Sequence, residues 1–165
     1  MSTLIKSLIL LFIINCLIVA KNKREFVSPD KKTRIIVFNF SDKDIVLESR
    51  IHVLNRKGIV LFDTSFASND HEHGLGVIQA EWTADSKYFV FGMTSSGGHQ
   101  PWHVFTFTYS SSTNDLISID KTVEIVTSRF KLFPPDSLEA IGFTDNLKHA
   151  AKFGVRLSTL IHKSQ

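Results

Sequence analysis

The stretch EWTADSKYFVFGMTSSGGHQPWHVFTFTY, from Glu81 to Tyr109, sets two apolar runs on either side of a Gly/Ser/His segment. Lys87 to Met93 and Trp102 to Tyr109 are dense in aromatic and β-branched residues, which suit a pleated, buried surface, so both are predicted strands. Alternation groups Phe89, Phe91 and Met93 on one face and Tyr88 and Val90 on the other. In the second run Phe105, Phe107 and Tyr109 oppose Val104, Thr106 and Thr108. Neither face is charged. A strand of that kind is covered on both sides, which places this hairpin inside stacked sheets. Between the strands, Ser95, Ser96, Gly97, Gly98, His99, Gln100 and Pro101 break the period and supply the turn. Polar loops on a rigid frame are where sites tend to lie.

Working outward, strands are expected at Arg34 to Phe40, Ile45 to Leu54, Ile59 to Asp63 and Val77 to Trp82 before the hairpin. After it come Leu116 to Ile119, Leu138 to Phe143 and Gly154 to Leu160, about nine strands in all. In the alternation of Ser49 to Leu54, Ile51 and Val53 face in while Arg50 and His52 face out. Phe26 to Lys32 is a turn preset by Ser28-Pro29-Asp30, and Asn55 to Gly58 is a hairpin loop whose glycine takes positive φ. Asp120 is placed to cap a helical turn, and Asn146 to Phe153 is a second short helical candidate. The fold class is therefore all-β: mostly antiparallel strands in blade-like sheets, with little helix.

Met1 to Ala20 carries one Lys6, a 13-residue apolar run from Leu8 to Ala20 interrupted only by Asn15 and Cys16, and then Lys21, Lys23 and Arg24. This is the pattern of a secretory signal ending at Ala20, and the run is shorter than the roughly 20 residues a membrane helix needs. Export to a periplasmic or extracellular space is expected. A membrane association follows only if the signal stays uncleaved or if Cys16 is lipidated, for which Ile13-Ile14-Asn15-Cys16 is a poor lipobox. Residues 21–165 then form one domain without cysteine, held by its core alone. The net charge of +3 is scattered and forms no basic stripe, so nucleic acid is not an expected partner. Thirteen of the 14 Phe residues lie beyond residue 20, enough aromatic bulk for a core.

Ser28, Pro29, Asp30 and Lys32, leading to Val37 and Phe38, are echoed by Thr83, Ala84, Asp85 and Lys87, leading to Val90 and Phe91, roughly 54 residues later, about one propeller blade. The pattern W-S/T-x-D-S/G-K-Y, best matched over Glu81 to Phe91, resembles the repeats of TolB-like and WD40-like β-propellers across residues 26–120. That resemblance implies two repeats, 26–80 and 81–135, followed by closing strands over 136–165, and a role as an interaction scaffold. Two blades do not close a propeller, which needs at least about four, so a partial propeller or two-sheet sandwich is implied, with completion by a partner or oligomer as an expectation. Ser95 to His103 is also similar to an SSGGHQPWH-like segment in a group of uncharacterised bacterial exported proteins, a likeness that brings no activity.

Histidines form the sharpest chemical pattern. His71 and His73 share a loop with Asp70 and Glu72, and His99 and His103 flank Gln100, Pro101 and Trp102 in the hairpin loop. If Val77 to Trp82 pairs with Lys87 to Met93, both loops emerge at one end of the sheet. His71, His73, His99 and His103 are then candidate ligands for zinc or another divalent ion, although no standard spacing such as H-E-x-x-H occurs. Ser95 or Ser96 with a histidine and Asp70 has the residue types of a nucleophilic set, but G-x-S-x-G is absent. A binding surface made of Asp70, His71, His73, His99, Gln100, Trp102 and His103 is the favoured expectation, with a protein, peptide or glycan as partner and no catalysis or cofactor. A metal-dependent hydrolase is the alternative.

Overall fold

The computed structural model describes residues 23–40, 48–70, 72–98, 103–120, 125–126, 129–144 and 149–161. They form three antiparallel sheets in chain order, none closed into a barrel. The first runs β1 (Lys23–Val27), β2 (Thr33–Phe40), β3 (Glu48–Asn55), β4 (Val60–Ser65), and the second β5 (Leu75–Trp82), β6 (Tyr88–Ser95), β7 (Phe105–Ser110), β8 (Leu116–Ser118). The third holds β9 (Ile125–Val126), β10 (Lys131–Phe133), β11 (Ser137–Thr144) and β12 (His149–Arg156), followed by the short helix α1 (Leu157–Ile161). Because β12 pairs with the whole of β11, β9 and β10 must share its other edge, and this sheet is three strands wide.

β6 sits at the centre, as its two apolar faces require. Phe89, Phe91 and Met93 enter a core shared with Ile35, Val37, Ile51 and Val53 of the first sheet. Tyr88 and Val90 face the other way, into a core with Ile119, Phe130, Leu138, Ala140, Leu157 and Leu160. Each such fully buried side chain contributes roughly 1.5–3 kcal/mol from removal of apolar surface from water. Gly92 allows the close approach on the third-sheet side, since a Cβ there would lie 2.9 Å from Val104 Cγ1.

The sequence echo is a structural repeat. Ser28 N donates to Thr33 O and Thr83 N to Tyr88 O, both at 2.9 Å. The Ser28 and Thr83 hydroxyls donate to Asp30 and Asp85, both at 2.7 Å, and those carboxylates accept from the Lys32 and Lys87 amides. Lys31 and Ser86 occupy the same left-handed position, with φ of 60° and 64°. Asp30 N donates to Ser86 Oγ at 3.0 Å, so the two turns dock side by side.

Elsewhere the structure departs from expectation. Among the described residues twelve strands stand where about nine were expected, and the all-β, mostly antiparallel class is the one observed. β1 is a strand where only a turn was read, because Lys23 to Val27 gains its pairing from β2. Of Gly154 to Leu160 only the first three residues are strand: β12 ends at Arg156, and Leu157 opens α1, whose first amides are taken by Asp136 O at 3.0 Å and Asp136 Oδ2 at 3.1 Å. The helical candidate over Asn146 to Phe153 is mostly β12, for His149 to Arg156 pairs with β11 throughout; residues 145–148 lie outside the described residues. The Asp120 helical turn falls largely on 121–124 and 127–128, also outside them, while Ile125 and Val126 pair with β11. His52 is half-buried beneath Phe38, at 4.9 Å between rings, and is not an exposed strand residue. Among the described residues, no helix is long and apolar enough to cross a membrane.

Candidate functional site

The register puts the two loops at one end of the second sheet. Leu75 pairs with Ser95 and Met93 with Phe105, so the 66–74 connection and both limbs of the β6–β7 connection emerge together. Phe66 anchors the first connection: its N–H donates to Ser49 O, its carbonyl accepts from Leu75 N, and its ring packs on Phe107 at 5.3 Å.

At the centre of this end is Glu48, the first residue of β3 and only 2% exposed. Its Oε2 accepts from Ser68 N at 2.9 Å. Its Oε1 accepts from Gly74 N at 2.6 Å and Ser96 Oγ at 3.0 Å, and lies 2.7 Å from Ser68 Oγ. Burial pushes the Glu48 carboxyl up, and the bonds from Ser68, Gly74 and Ser96 together outweigh it, leaving the pKa below the ordinary value. Gly74 has to be glycine for this packing, because a Cβ would stand 2.5 Å from both Glu48 Oε1 and Phe66 O. Ser96 N completes the fastening by donating to Gly74 O at 2.9 Å. One carboxylate thus ties the first sheet to both loops of the second.

Outward from Glu48, Ser68 Oγ also lies 2.8 Å from Asp70 Oδ1, so a single hydroxyl proton serves two carboxylates. Asp70 accepts from Glu72 N at 3.1 Å and meets His73 Nδ1 at 2.5 Å. The bonds from Glu72, Ser68 and His73, in that order, hold its carboxyl well below the usual carboxylate range. Asp70 and His73 are more than half exposed and stand at the surface of the loop.

On the other flank, His103 Nε2 meets Asp120 Oδ2 at 2.7 Å, while Asp120 Oδ1 accepts from Thr106 N at 3.1 Å. The imidazole lies over Phe105, 3.9 Å between centroids, and both members of the pair are mostly buried. Burial, opposed by the Thr106 and His103 bonds, raises the Asp120 pKa. This pair fastens the start of β7 to the residues after β8.

Of the expected surface, the structure therefore places Asp70 and His73 together and His103 on the far side of the β6 end. His71, His99, Gln100 and Trp102 lie outside the described residues. Two strand spacings separate the starts of β5 and β7, about 10 Å, so His73 and His103 follow different carboxylates. Among the described residues, no three His, Cys, Asp or Glu side chains are grouped to hold a metal ion. Ser96, 3% exposed, gives its hydroxyl proton to Glu48, the arrangement of a fastening and not of a nucleophile. Sequence reasoning missed Glu48 and Gly74 altogether; it placed Asp120 at the start of a helical turn, where its backbone is indeed helical, and did not foresee its pairing with His103. The available signal was an acid directly after the apolar run Ile45-Val46-Leu47 within the predicted strand Ile45 to Leu54.

No family model and no curated protein matches the chain. Among solved structures, a "putative conserved lipoprotein" from Clostridium novyi NT is similar, with a TM-score of 0.47 and 10% identity, covering 81% of this chain and 85% of that one. A likeness of that degree carries no functional argument.

Proposed function

We propose that the chain is an exported binding module whose ligand-facing surface is the end carrying residues 66–74 and 95–103. The observation that supports this reading most is the Glu48 fastening. It uses a buried carboxylate to hold Ser68 and Gly74 of one connection and Ser96 of the other in place, and segments fixed in advance lose less entropy when they bind. Above it, Asp70 and His73 offer an acceptor and an imidazole to an approaching protein, peptide or glycan. The export part rests on the Met1 to Ala20 pattern. Three consecutive antiparallel sheets and the repeated Ser/Thr-x-Asp-x-Lys turn favour the propeller-like scaffold reading over an enzyme.

A glycan array and a peptide library probed with the chain test this. Binding that disappears in Asp70→Ala and His73→Ala but survives Lys152→Ala on β12 is the expected result. Ligands bound equally well by all three variants would place the surface elsewhere, and stoichiometric zinc in the purified chain would favour the metal-dependent alternative.

A further inference from the structure

The outer edge of the first sheet is β4, and among the described residues its backbone pairs on one side only, with β3. Ile59, Val60 and Leu61 are 58%, 51% and 42% exposed, a consecutive run of large apolar side chains at the start of that edge. A bulge opposite Val53 and Leu54 leaves Leu61 without a partner on β3. Other edges are shielded in the ways natural sheets use. β8 is three residues long, β1 carries Lys23, Arg24 and Glu25, and β12 carries Lys152 and Arg156. The free side of β5 is covered by the first sheet: Val77 N donates to Ser49 Oγ, Val77 O accepts from Arg24, and Trp82 Nε1 donates to Phe26 O. β4 has no lysine, arginine or proline.

The geometry points to β4 as a strand-pairing surface for a second copy of this chain, aligned antiparallel. Charge selects that occupant and direction. The exposed cations Arg56 and Lys57 precede the apolar run, and Asp63, the one charge in β4, follows it. A parallel copy brings the cations of the two chains together. An antiparallel copy brings Lys57 toward Asp63 of the second chain, and the reverse by symmetry. Asp63 already holds Arg50, which donates to both of its oxygens at 2.9 and 2.5 Å, so Lys57 of the second chain joins that pair and does not replace it. The contact is small beside the roughly 1,200–2,000 Å² of a stable interface, so the dimer is weak and forms where the chain is concentrated.

Sedimentation of the 165-residue chain from about 10 µM to about 1 mM covers the range in which so small an interface associates. Hydrogen exchange of the 59–65 segment at both extremes locates the contact. Expected are a mass rising toward the dimer, slower exchange in that segment at high concentration, and association at least about tenfold weaker in Ile59→Lys/Leu61→Lys. Both substituted positions are exposed, so the variant keeps its fold, which circular dichroism checks. A monomer at every concentration overturns the proposal. So does association that the double variant leaves unchanged, or protection confined to another segment, the result if the edge instead receives an unrelated peptide.

Discussion

Glu48 receives its hydrogen bonds from residues 20, 26 and 48 positions away in the chain, and that distance is why no reading of the sequence singled it out. A glutamate in a predicted strand looks like a solvated outward residue until its partners are placed. His73 and Asp70, three residues apart, were legible because their chemistry is local. The burial of Glu48 makes it sensitive. Glu48→Gln aims an amide N–H₂ at donors already in place and is expected to cost about 2–3 kcal/mol, read from urea unfolding at neutral pH. The sign of the pH effect follows from the lowered folded pKa. Stability contributed by the charged form is fully present above the ordinary value of 4.5 and is lost as pH falls through the lower folded value. The wild type's advantage over Glu48→Gln is therefore constant near neutrality and shrinks below that value. An advantage unchanged at low pH would show that the carboxylate charge is not what the loops are fastened to.

At the scale of elements, legibility tracked how far each segment decides its own conformation. β6 was readable because the six residues Tyr88 to Met93, apolar on both faces, admit few other fates. β12 was not: His149-Ala150-Ala151-Lys152 has good local helix propensity, and only its ladder with β11 makes it extended. The paired turns lie between these cases, since the Ser/Thr-x-Asp-x-Lys pattern is local and its docking is not. They support a contrast between two glycine substitutions. Lys31 holds a left-handed φ of 60° and its side chain is exposed, so Lys31→Gly relieves backbone strain and is expected to stabilise by about 0.5–1 kcal/mol. Ser86 holds the same φ, but its hydroxyl accepts from Asp30 N, so Ser86→Gly gives up the bond between the turns and is expected to bring no gain. Thermal unfolding of the two variants side by side is the check, and an equal gain in both would mean the turns do not support each other.

For the whole molecule, the decisive feature is that one strand belongs to two cores. Phe89, Phe91 and Met93 serve the contact with the first sheet, and Tyr88 and Val90 the contact with the third, so neither core can be lost without disturbing the backbone of β6. The outward face of the first sheet carries the ion pairs Arg34 with Glu25 and Arg50 with Asp63, and that of the third carries Lys152 with Glu139. A shared central strand implies a single unfolding transition. Trp82 reports on the first core, and Trp102→Phe leaves it as the only tryptophan of the chain. In that background, Trp82 fluorescence and far-ultraviolet circular dichroism should trace one curve in urea. Leu138→Ala, which opens a cavity in the other core, should then move the Trp82 midpoint by an amount equivalent to about 2–5 kcal/mol. If the third sheet unfolds by itself, the same substitution will split the two curves and leave the Trp82 midpoint where it was, and β6 will have failed to couple the cores.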